Sequence, residues 1–198
     1  IFVMVRISFV LELVSAIPLG IIASTKQYSR ADDAITTVSL IGISLPTFFF
    51  ATLLKLFFSV KLWWFDLYCL VGRNYAQLST WGQFWDKANH LVLPIVTLVI
   101  VSVGSLMRYT RTNMLEVLNA DYIRTARAQG LSEHKVIYHH AFRTTLIPLV
   151  TIIGGRLPGL FSGALIPETL FLIPGIGYTS SQAMISGDIP FAMFYMTF

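Results

Sequence analysis

DYIRTARAQGLSEHKVIYHHAFRTTLIP, residues 121–148, is a polar island in a chain otherwise dominated by long apolar runs. Asp121 is suited to cap the N-terminus of a short helix, YIRTARAQ, and Gly130 stands where that helix would end in the left-handed conformation. Ser132 is placed to cap a second short helix, and Glu133 in its first turn complements the positive dipole end. Val136, Ile137 and Ala141 give this second helix an apolar face, while Lys135, His139 and His140 remain polar. Two such short helices are too small to be stable alone in water. They require a surface to pack on: a helix bundle, a membrane or a partner protein. Arg124 and Arg127 lie one turn apart, where they could meet a partner's acidic groups. A merely solvated basic loop would account for the charge, but not for the caps and the hinge.

The composition outside the island defines its setting. Of 198 residues, 55% are hydrophobic and only 12% charged, against roughly 25% charged in soluble domains. The mean hydropathy is +0.70. Such a chain belongs to the membrane class. The net charge of +4 is divided among short segments between apolar runs, which suits membrane topology rather than a nucleic-acid surface. The single cysteine, Cys69, precludes a disulfide within the chain and reads as an isolated loop thiol. The chain begins at Ile1 without methionine and stops at Phe198 inside an apolar segment, so we expect a fragment.

About 20 apolar residues cross a bilayer, which predicts an all-α polytopic membrane protein. Spans are expected at 2–24, 34–54, 88–107 and 144–167, and a fifth begins near 189. Pro18 and Gly20 predict a kink in the first span, and Pro46 a bend in the second. Glu12 lies inside the first span and Arg156 near the middle of the fourth. Intramembrane charges of this kind either pair within the bundle or line a water-filled path. Gly155, Gly159 and Gly163 form a small-xxx-small face that admits another helix. Segment 60–89 contains all four tryptophans, Trp63, Trp64, Trp81 and Trp85, and reads as an interfacial loop. Segment 168–188 reads as a Gly/Pro-rich loop, with Pro174-Gly175 as its turn.

Charge then sets the orientation. One side collects Lys26, Arg30, Arg108, Arg111, Arg124, Arg127, Lys135 and Arg143; the other has Lys61, Arg73 and Lys87. The positive-inside rule puts the richer side, with segment 113–143, in the cytoplasm, and segments 60–89 and 168–188 outside. Reactive constellations are missing from the sequence. The island's histidines have no cysteine or HExxH spacing beside them, and there is no Walker A, GxSxG or dinucleotide fingerprint. No enzyme, no metal site and no cofactor in this chain is expected.

The stretch MLEVLNADYIRTARAQGLSEHKVIYHHAFRTTLIPLV, residues 114–150, resembles the inner-membrane permease subunits of ABC importers. It is most similar to the dipeptide, oligopeptide and nickel branch, particularly the B-type oligopeptide permeases. The family's cytosolic EAA motif is met by Ala126 and Gly130, while Arg124 and Thr125 replace its first Glu and Ala. The branch's own YxRTARAxGL and HAxRxxLIP runs are met at 122–131 and 140–148, and ETLFLIPGIG at 168–177 resembles its loop before the last helix.

This resemblance implies a type I permease helix bundle, 1–198, in a bacterial-type plasma membrane. It implies a second permease subunit, two cytosolic ATP-binding subunits and an extracytoplasmic substrate-binding protein as partners. It also implies that Asp121, Tyr122, Arg124, Ala126, Arg127, Gly130, Leu131 and Ser132 belong to a coupling helix docked on the ATPase. A nickel importer of the same family, an ion-coupled secondary transporter and a non-transporting scaffold are the alternatives.

Overall fold

Backbone polar groups find no water in hydrocarbon, so a chain this apolar must satisfy them within its own helices. The computed structural model describes residues 2–66, 70–72, 74–159 and 164–197, and among these every regular element is helical. Cys69, Arg73 and Gly163 lie outside the described residues.

Helix α1 is Phe2–Thr25, α2 Arg30–Ser44 and α3 Thr47–Leu54, which continues as π-helical turns through Lys55–Lys61. Helix α4 is Thr80–Leu118 and α5 Asp121–Ala128. Helix α6 runs Glu133–Arg156, with a π-helical stretch at Val136–Ala141. Helices α7 (Leu165–Phe171), α8 (Ile176–Ser186) and α9 (Ile189–Thr197) follow. Helices α1, α4 and α6 are each long and apolar enough to cross a bilayer; α2 with α3 and its continuation makes a fourth crossing if counted as one.

Several expected boundaries are corrected. Pro46 does more than bend the second span. It sits at φ −58°, ψ 136°, outside the helical region, so α2 stops at Ser44 and a new helix starts at Thr47. The third span, expected at 88–107, lies within a helix of 39 residues, roughly 58 Å at 1.5 Å per residue. The second half of the island is no separate helix: it is the start of α6, which ends at Arg156 rather than near 167. Segment 168–188 is mostly helical instead of a loop.

The chain forms two compact units. One comprises Ile1–Phe9, Leu45–Val99 and Pro158–Phe198. Met4, Ala51, Leu93, Phe171 and Ile173 make its core. Glu168 is fully buried and organises the ETLFLIPGIG stretch. Its carboxylate accepts the Ala164 N–H (2.7 Å) and the Tyr178 N–H (2.9 Å), one at the start of α7 and the other in the first turn of α8. Leu172, at φ 52°, ends α7 in the left-handed region. A Cβ on Gly177 would sit 2.8 Å from Leu165 Cα, so only glycine fits between α7 and α8. Glu168→Ala strands two donors, each costing about 1–3 kcal/mol; a lower melting temperature of the detergent-purified protein is expected, and an unchanged one contradicts this role.

In the same unit His90 is buried, its Nε2 3.1 Å from the Asp66 carboxylate and its Nδ1 2.7 Å from the Asp86 carbonyl oxygen. Asp86 also accepts the Gly72 N–H at 2.8 Å, which fastens segment 60–89 to α4. Trp81, Phe84 and Trp85 form an exposed aromatic cluster at the start of α4, with centroids 5.8–6.2 Å apart. Such rings suit the headgroup level of a membrane.

The second unit comprises Val10–Ser44 and Ile100–Leu157. Its helices approach closely at Gly20 and Gly104, outside the small-xxx-small repeat. A Cβ on Gly20 would lie 2.6 Å from Thr110 Cβ, and one on Gly104 would lie 2.6 Å from the Ser39 carbonyl oxygen. By contrast, a Cβ added at Gly154, Gly155 or Gly159 meets nothing within 4 Å. Close approach of this kind lets backbones pack where lipid offers no hydrophobic drive. Gly104→Ala should therefore destabilise the protein by about 1–3 kcal/mol through overpacking against a backbone atom. Gly155→Ala, with open space around it and a better helix former in place, should not lower the melting temperature, and equal losses for the two would refute this packing.

Arg111 from α4 grips Asp32 of α2 with both arms of its guanidinium, at 2.8 Å each. The same carboxylate accepts the Tyr28 N–H (3.1 Å) and the Thr36 hydroxyl (3.2 Å), closing the turn between α1 and α2. Asp32 is 3% exposed, so this is a buried, fully engaged carboxylate and not part of a solvated turn.

Candidate functional site

The α5–α6 segment is built on one buried stripe. Ile123 and Ala126 of α5 are buried with Val136 and Ala141 of α6, Ile21 of α1 and Met114 of α4. The i, i+3 spacing of Ile123 and Ala126 puts both on the inner face. The surface that the two short helices required is thus supplied, on this face, by their own unit.

The N-terminal cap differs from expectation. Ala120 takes the cap position with no side-chain bond, and Asp121 lies in the first helical turn. There Asp121 still complements the helix dipole, and it stands 3.6 Å from Arg124 Nη1 in a pair too exposed to add much stability. Ser132 does occupy the cap position of α6, at φ −63° and ψ 145°, again without a side-chain bond.

The turn matches the glycine reading. Gly130 sits at φ +77°. Its N–H donates to the Arg127 carbonyl (3.0 Å) and the Leu131 N–H to the Ala126 carbonyl (3.4 Å), the paired bonds of a Schellman motif. Leu131 packs on the buried stripe, as the residue after such a glycine commonly does. Arg127 then spans the turn to Glu133, with Nε 2.9 Å from Oε1 and Nη2 3.4 Å from Oε2. With the inner face buried, Asp121, Tyr122, Arg124 and Arg127 are left on the outer one. The arrangement is a rigid, stapled turn that offers an aromatic ring and positive charge to whatever lies beyond it.

The structure also brings Glu12 and Arg156 together. Arg156 Nη1 pairs with Glu12 Oε1, and Nη2 donates to Ser105 Oγ at 3.0 Å. Glu12 is buried, its side chain 6% exposed, whereas that of Arg156 is 34% exposed. Ser105 had no signal in the sequence, being one of many serines in apolar runs. The Asp32–Arg111 pair was equally illegible, because its partners stand 79 positions apart.

Comparison with known proteins agrees with this architecture. The family described as "Binding-protein-dependent transport system inner membrane component" matches residues 16–198. The oligopeptide transport system permease protein AppB of Bacillus subtilis (strain 168) is 37% identical over 187 residues, covering 94% of this chain and 58% of that protein. The di/tripeptide transport system permease protein DppB of Pseudomonas aeruginosa (strain UCBPP-PA14) is 39% identical over 184 residues, covering 86% and 55%. The dipeptide transport system permease protein DppB of Bacillus subtilis (strain 168) is 34% identical over 186 residues, covering 94% and 56%. The chain therefore spans less than two thirds of the length of these relatives. Its helices, its apolar spans and the extent of the family match lead to one conclusion: this all-α membrane protein belongs to the binding-protein-dependent transport system inner membrane component family.

Proposed function

We propose that the chain is part of a permease subunit of an ATP-driven, binding-protein-dependent importer of oligopeptides or dipeptides in a bacterial plasma membrane. The observation that carries this reading is the stapled α5–α6 turn, whose inner face is satisfied within the chain and whose outer face is not. The names of the relatives, all peptide transport system permeases, favour peptide over nickel as cargo.

In this reading two permease subunits form the pathway and two cytosolic ATP-binding subunits power it. An extracytoplasmic binding protein delivers cargo. ATP hydrolysis belongs to the partner chains, and this chain contributes no catalytic residue. ATP binding closes the ATPase pair, the docked α5 segments follow, and the spans rearrange to alternate access. Docking transmits work only if its free energy differs between the two conformations, since equal binding shifts neither. A turn fixed by paired backbone bonds and Arg127–Glu133 passes a displacement of α5 to α6 without absorbing it.

The test is reconstitution of the complete transporter in vesicles, with uptake of dipeptides, longer peptides and nickel compared with and without ATP. ATP-dependent peptide uptake that is indifferent to uncouplers is expected. Uptake abolished by uncouplers and independent of ATP would point to an ion-coupled carrier, and nickel uptake alone would overturn the peptide assignment.

A further inference from the structure

Arg156 is the last residue of α6, and it meets Glu12 near the middle of the 24-residue α1. A side chain beside the middle of a helix that spans the bilayer lies at membrane depth. Charged groups at that depth face protein or a water-filled cavity, and transporters place cargo sites there. A guanidinium cannot face lipid at that depth without severe cost.

Neutralisation of Glu12 does not account for all of what Arg156 does. A partner present only to neutralise the carboxylate would be sequestered with it, yet Glu12 is nearly inaccessible while a third of the Arg156 side chain is open. Gly154 and Gly155 next to it meet no atom within 4 Å of an added Cβ, so among the described residues no other helix packs on these two positions. Glu12 and Ser105 hold one Nη each. A guanidinium carries five N–H donors, and among the described residues no hydrogen bond is made by the Nε–H of Arg156.

We propose that Arg156, held by Glu12 and Ser105 at the end of α6, is the permease's contact for a free carboxylate on the cargo. This rests on the importer reading above and names the chemistry one pathway residue selects. The planar fork suits a carboxylate. Glu12 tempers the positive charge, so cargo is held weakly enough to leave, as a conducting site requires.

The complete transporter tests it with matched peptides bearing a C-terminal carboxylate or a C-terminal amide. The binding protein's own preference between them is measured separately and divided out. Wild-type uptake should favour the acid beyond that preference. The double variant Glu12→Gln/Arg156→Gln, which leaves no stranded charge, should lose the excess by about tenfold or more. Arg156→Lys keeps Glu12 paired but removes the fork, and should give an intermediate ratio even where the double variant moves neither peptide. An acid-to-amide ratio unchanged in both Arg156 variants overturns the proposal, as does a wild-type ratio no greater than the binding protein's. ATP-independent uptake of both peptides by the wild type would strike the importer reading itself, and this inference with it.

Discussion

Gly130→Val is expected to reduce cargo-stimulated ATP hydrolysis and transport by roughly tenfold while leaving membrane insertion intact. Gly130 has φ +77° and open space around its Cα, so the obstacle is backbone conformation and not a clash. A left-handed residue bearing a Cβ costs about 1–2 kcal/mol, and branching at Cβ makes that conformation an outlier. The cheapest response is to leave the left-handed region. That response breaks the Gly130–Arg127 and Leu131–Ala126 backbone bonds and draws Arg127 away from Glu133. The spans do not depend on this turn, so protein levels in the membrane should hold. Gly130→Asn, which tolerates the left-handed region better, should retain most of the coupling. Equal coupling in wild type and Gly130→Val would show that the turn transmits nothing.

Asp32→Ala is expected to be the most destabilising of the substitutions considered. It leaves the Arg111 guanidinium, the Tyr28 N–H and the Thr36 hydroxyl without their acceptor. Removing one partner of a buried ion pair costs about 3–5 kcal/mol. Arg111 is 24% exposed, and solvent there brings the expectation to the lower end, about 3 kcal/mol. A marked loss of thermal stability in detergent and of folded protein in the membrane should follow. Asp32→Leu combined with Arg111→Met should recover much of the loss, because apolar replacement of a buried pair is often tolerated. A melting temperature unaffected by Asp32→Ala would mean that the pair is incidental.

The parts of this protein that were legible beforehand are those governed by local rules. Hydropathy located α1 to within a residue, since only length and apolarity matter there. The conformation of Gly130 followed from its place after a short helical run, and Glu133 fell in the first turn as read. What escaped depends on neighbours distant in sequence. At Pro46 the expected bend is there, but it is made by ending one helix and starting the next, which the proline alone did not reveal. In the glycine repeat that begins at Gly155, a Cβ added at Gly155 or Gly159 meets nothing within 4 Å, while among the described residues of the second unit the helices cross tightly at Gly20 and Gly104, which carry no repeat because each meets a different helix. Glu168 looked like the start of a loop, since nothing local reveals that its carboxylate holds two backbone N–H groups.

The central claim is that the outer face of α5 is where an ATP-binding subunit docks. It is tested most directly by a cysteine at Arg124 in a Cys69→Ser background of the full-length permease, assembled with its partner subunits. A short bifunctional cross-linker should join position 124 to the ATP-binding subunit, with a yield that changes on adding ATP. Joining only to lipid or to the binding protein, in a complex that still imports peptide, would contradict it.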